Sequence, residues 1–114
     1  MSENNLKSSI QNLDYTNIKF LILQGNINID SKDLQMDGDP IIILLREFRK
    51  GKDELIAKIL QYLINSGFNI HVTDSIGNNP LHYAMQNKYL HAIVILLQNS
   101  ANINQKNNYG LTPI

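Results

Sequence analysis

Apolar residues fall at helical spacing in six separate stretches of this chain. Leu6, Ile10 and Leu13 make one weak stripe, so the spacing predicts a short amphipathic helix that Ser2 is placed to cap. Tyr15 to Leu23 reads as a second helix, stopped by Gln24, Gly25 and Asn26. Ile41–Leu45 is apolar throughout, and Leu55, Ile56, Ile59, Leu60, Leu63 and Ile64 recur at i, i+3/i+4 spacing. Leu81, Tyr83, Ala84 and Met85, then Leu90, Ile93, Val94, Leu96 and Leu97, complete the set. The predicted helices run near 3–11, 15–23, 40–49, 53–65, 80–87 and 90–98.

Three of the starts share one device. Each proline follows a residue that caps helices: Asp39-Pro40, Asn79-Pro80 and Thr112-Pro113. The side-chain oxygen accepts from a free N–H of the first turn, and proline fills the first helical position with no hydrogen bond lost. The pattern also repeats. Gly77 and Gly110 lie 33 residues apart, as do Pro80 and Pro113, a period that signals stacked units too small to bury their own apolar faces.

The residues that carry this period resemble the ankyrin family. Asp74, Gly77, Pro80, Leu81, His82, Ala84, Leu96, Leu97, Ala101, Asn102, Ile103 and Asn104 match its pattern. Asn79 stands where threonine is usual, and Lys88 and Ser100 where glycine is usual. The resemblance is clear over 74–114, traceable back to about residue 13 and lost before that. It implies an all-α solenoid of helix–loop–helix units, about three repeats plus the start of a fourth. The units divide as 1–30, an atypical N-terminal capping repeat; 31–71, a second repeat; 72–104, a third; and 105–114, the start of a fourth. The match of Ile22–Asp30 to Leu96–Asn104 keeps every apolar position in step, which makes the first unit a repeat without the Pro-Leu-His turn. The end at Ile114, just past a helix start, reads as that of a fragment of a longer protein, with self-association expected through the uncovered face of Leu90, Ile93, Leu96 and Leu97.

The second repeat is irregular. Twenty-seven positions separate Pro40 from Gly67, against 20 from Pro80 to Ser100, so seven residues are inserted around Arg46–Glu54. With Phe48 as its one large apolar residue, the insertion is expected to be mobile and dispensable for stability.

Composition narrows the chemistry. Ten basic and ten acidic residues balance to zero, which points away from nucleic acid and from an anionic membrane. The absence of cysteine excludes disulfides and thiolate metal sites and fits an intracellular, cytoplasmic setting. No apolar run is long enough to span a bilayer.

Candidate reactive groups do not assemble. His71, His82 and His91 lack the spacing of a ligand pair, and the resemblance makes His82 a structural residue that bonds its own loop and its neighbour. Asp30, Asp33, Asp37 and Asp39 cluster near Gly38 without the alternating carboxylates and terminal glutamate of a calcium loop. Arg46, Arg49, Lys50 and Lys52 are the basic cluster, read as a solvated loop. The reading therefore calls for no enzyme, no cofactor and no metal.

What the resemblance implies instead is a non-catalytic module that binds a protein partner through loop tips and the concave inner-helix surface. On this sequence that strip comprises Leu34, Gln35, Met36, Ser75, Ile76, Asn78, Gln86 and Asn87. The alternative is a targeting or regulatory repeat domain of a larger effector-type enzyme from an intracellular pathogen, delivered to a host cytoplasm.

Overall fold

The computed structural model describes residues 5–25, 27 and 38–114, and the segment 28–37, with Leu34, Gln35 and Met36, lies outside the described residues, as does Ser2. Six helices lie among the described residues, in order: α1 Leu6–Gln11, α2 Tyr15–Leu23, α3 Pro40–Arg46, α4 Asp53–Asn65, α5 Pro80–Gln86 and α6 Leu90–Gln98. There is no strand among the described residues. They form three antiparallel pairs. The inner helices α1, α3 and α5 stack side by side, and α4 packs along α6 behind them.

Local chemistry sets the boundaries. Asn5 caps α1 by accepting from the Ser8 N–H, and Asp39 caps α3 by accepting from Ile41 and Ile42. Asn79 and His82 form a reciprocal capping box at α5. Residue 13, Lys88 and Ser100 end turns with φ of 53°, 57° and 65°, a left-handed backbone that glycine adopts at less cost. At residue 13 and Lys88 such a turn reverses the chain within three residues, so α1 and α2, and α5 and α6, lie antiparallel.

The core sits around α3. Pro40 through Leu45 are all buried, because α1 and α5 flank the helix and α4 backs it. Ile56, Ile59, Leu60 and Leu63 of α4 close that core from the outside. Each buried leucine or isoleucine stabilises by roughly 1.5–3 kcal/mol, which is why a helix with no polar face occupies the middle unit. On α6 only Ala92 and Leu96 are fully buried, and Leu90, Val94 and Leu97 stay exposed.

The insertion departs from expectation twice. The helix from Pro40 ends at Arg46 rather than near 49, because Glu47 turns to extended backbone at φ −93°, ψ 136°. Nor is the loop loose. The Tyr89 hydroxyl, at the N-terminus of α6, donates to the Glu47 carbonyl at 2.6 Å and accepts from the Arg49 N–H at 2.7 Å. Phe48 stacks on the Tyr89 ring with centroids 6.4 Å apart and planes 7° off parallel. Arg49 also reaches the first unit, donating to the Gln11 carbonyl at 2.6 Å. The loop thus straps together the inter-helix turns of all three pairs.

One helix start is capped from outside its own pair. Tyr89 offers α6 no side-chain cap, and Asp53 of α4 accepts from both the His91 N–H at 3.3 Å and the His91 ring at 2.8 Å. The carboxylate holds the His91 imidazole above its ordinary pKa.

Candidate interaction surface

The loop before α5 is built on one carboxylate. Asp74 Oδ1 accepts from the N–H groups of Ile76 at 3.1 Å and Asn78 at 3.0 Å, and the Asp74 N–H returns to the Asn78 carbonyl at 3.0 Å. The Tyr83 hydroxyl donates to the other oxygen, and burial followed by this bond pushes the Tyr83 phenol up from its usual pKa. Gly77 takes φ +83°, and an added Cβ there would meet Asn108 Oδ1 at 2.8 Å, so two independent constraints select glycine. Thirty-three residues on, Asn107 rebuilds the loop: its Oδ1 accepts from Tyr109 at 2.9 Å and Leu111 at 3.0 Å.

The two tips are bolted together. Asn108 donates from its N–H to the Ile76 carbonyl at 2.9 Å and from its amide to the Ser75 carbonyl at 3.1 Å. The Asn107 amide donates to Asn78 Oδ1 at 2.7 Å, a bond that an aspartate there could not donate. His82 spans the same junction. Its Nδ1 accepts from the Asn79 N–H and its Nε2–H donates to the Leu111 carbonyl, each at 2.9 Å, since a carbonyl only accepts. These bonds leave Ile76 (38% exposed) and Tyr109 (73% exposed) on adjoining rigid tips.

The expected strip separates on inspection. Ser75, Ile76 and Gln86 are exposed. Asn78 is buried and bonded to Asn107, so it belongs to the inter-repeat junction rather than to a docking surface. Asn87 is half-buried and donates to the Leu45 and Arg46 carbonyls at 2.8 and 3.2 Å, tying α5 to the end of α3. Tyr109 stands outside the expected strip, but its position 33 residues after Ile76 marks it as the equivalent loop-tip residue, and the structure exposes it.

Nothing in the described residues assembles a reaction centre. Asp39 serves as a helix cap, and no group of three histidine or carboxylate side chains converges there. His71 is exposed, with its N–H taken by the Asn69 side chain. An open groove of about 770 Å³ runs across the outer helices past Tyr15, Ala57, Tyr62 and Val94, and its charged residues Glu54, Lys58 and His91 are solvent-exposed. No described helix is long and apolar enough to cross a membrane.

Paired helices stacked through repeated, mutually bonded loops define a helical repeat protein. A family profile described as ankyrin repeats (3 copies) matches residues 53–114, and the chain belongs to the ankyrin repeat family. It is 33% identical over 96 residues to the neurogenic locus notch homolog protein 1 of Mus musculus, an alignment covering 83% of this chain and 4% of that protein. It is 38% identical over 78 residues to a putative ankyrin repeat protein of Acanthamoeba polyphaga mimivirus, covering 68% of this chain and 10% of the relative. A third similarity, 30% over 63 residues, is to synphilin-1 of Mus musculus, with 55% and 6% covered. The chain thus spans a tenth or less of the length of these relatives. Ankyrin repeats are in general protein–protein interaction modules without a catalytic role.

Proposed function

We propose that this chain binds a protein partner across its loop tips, with Ser75, Ile76, Asn108 and Tyr109 at the centre and Gln86 at the concave margin. The observation that carries the reading is the pair of exposed apolar side chains, Ile76 and Tyr109, on adjoining tips that the backbone and amide bonds of Asn108 hold together. Exposed apolar groups on a fixed frame lose little freedom when a partner covers them. Leu34, Gln35 and Met36, outside the described residues, stand at the matching first loop tip in the sequence. The cysteine-free composition supports a partner met in a reducing compartment.

A photo-crosslinking residue at position 76 should capture a discrete partner that the same residue at Gln61, on the outer helix, does not. Ile76→Ala with Tyr109→Ala should abolish the capture while the melting temperature stays within about 2 °C of the parent, since neither side chain is in the core. Equal capture from both positions, or capture that survives the double substitution, would refute the reading.

A further inference from the structure

The three inter-helix turns form an edge at the far end of the inner helices from the loop tips, and several residues on it sit against their local preference. Lys52 is the N-cap residue of α4 and makes no side-chain cap bond. That position favours an acceptor such as serine or aspartate, and a cation there faces the positive end of the helix dipole. Lys88 takes φ 57°, where a side chain is strained. Phe48 is 64% exposed, yet it is held flat against the buried Tyr89 ring. Lys50 lies at the tip of a turn closed by the Lys52 N–H on the Arg49 carbonyl at 3.3 Å. Such departures, gathered at one place, mark a surface kept for something other than stability.

The bonds already described bring these residues to one edge. Asn87 grips the Leu45 and Arg46 carbonyls, and Tyr89 grips Glu47 and Arg49, so Lys88 lies beside the 46–52 loop. Of the acidic groups there, Glu47 pairs with Arg49 at 3.2 Å and Asp53 with His91 at 2.8 Å. Among the described residues no carboxylate pairs with Arg46, Lys50, Lys52 or Lys88. The edge is therefore positive in a chain whose formal net charge is zero.

We propose that this edge is a second docking surface, and that it takes an acidic polypeptide segment carrying an apolar residue, with Phe48 as the apolar contact and Lys50, Lys52, Lys88 and Arg46 as the charged rim. A local patch beside one aromatic fits a short acidic segment. Nucleic acid or an anionic bilayer calls for a broader basic face and, for single strands, a series of stacking rings. The loop is already ordered by Tyr89 and Gln11, so little freedom is lost on binding.

The test uses the whole chain and a fluorescently labelled synthetic peptide of glutamate and leucine, followed by anisotropy. Binding should weaken as salt rises. Lys50→Glu, Lys52→Glu and Lys88→Glu together should raise Kd by about tenfold or more. Lys7→Glu, Lys19→Glu and Lys106→Glu together change the net charge equally and should leave Kd near that of the parent. If the first triple variant fails to fold, the corresponding lysine-to-glutamine set replaces it. Phe48→Ala should weaken binding without changing its salt dependence. Ile76→Ala with Tyr109→Ala should leave it intact, which separates this surface from the loop tips. The proposal is overturned if the peptide does not bind, if both charge triples weaken it alike, or if phosphatidylserine vesicles or a single-stranded oligonucleotide bind in its place.

Discussion

Tyr89→Phe removes one oxygen atom and tests whether the insertion is a structural strap. The hydroxyl is the meeting point of two bonds, to the Glu47 carbonyl at 2.6 Å and from the Arg49 N–H at 2.7 Å. The ring itself is buried and stays, so no cavity opens and the Phe48 stack persists. Each lost bond costs about 0.5–1.5 kcal/mol net, and the two together roughly 2 kcal/mol, because Glu47 is exposed and water can replace part of what is lost. In a domain of this size that is a fall of about 8 °C in melting temperature. The measurement is urea and thermal unfolding followed by far-ultraviolet circular dichroism, with amide exchange at Arg49 as a local probe. Exchange at Arg49 should accelerate, while the amides of α4 hold. Tyr89→Ala should cost more, about 3–5 kcal/mol, since the ring's packing goes as well. An unchanged midpoint and unchanged Arg49 exchange in Tyr89→Phe would refute the strap, and the insertion would then be an idle loop.

Two further outcomes follow from the same structure. Burial pushes the Asp39 carboxyl up to about 6, against two cap bonds that pull it down. A raised carboxyl favours the folded state when protonated, so its contribution is full below about pH 4 and is lost as pH rises through about 6. Asp39→Asn keeps the cap and removes the charge, so the variant should match the parent near pH 4 and exceed it by roughly 3 kcal/mol at pH 7–8 in unfolding titrations. Two left-handed positions should respond in opposite ways. Ser100→Gly relieves strain at φ 65° and should stabilise by up to about 1 kcal/mol, whereas Gly77→Ala, at φ +83° and with Asn108 Oδ1 2.8 Å from the new carbon, should cost about 1–3 kcal/mol in the same unfolding assay.

The sequence by itself determined the order of the helices and the caps of α3 and α5, while α1 starts at Leu6 under Asn5 rather than near residue 3 under Ser2. The predicted spans at 15–23, 53–65 and 90–98 coincide with α2, α4 and α6. Those boundaries are local events: a capping side chain, a proline that fits one position, a left-handed turn, and apolar residues whose spacing selects one face. The 33-residue period carried the rest, because the same loop bonds recur wherever Asp or Asn precedes glycine at the same distance.

Tertiary structure alone decided which polar residues are surface. Asn78 and Asn87 are polar residues beside a loop or turn, so their sequence marks them as exposed. Their partners, Asn107 and the Leu45 and Arg46 carbonyls, come from neighbouring units and bury what would otherwise meet water. The insertion followed the same logic: its charges read as solvation, and its anchor, Tyr89, lies forty residues downstream. A hydrogen bond between distant segments leaves no periodicity in either one. Only packing the turns against each other shows that the loop is held, and that Phe48 and its lysines are presented on a fixed edge.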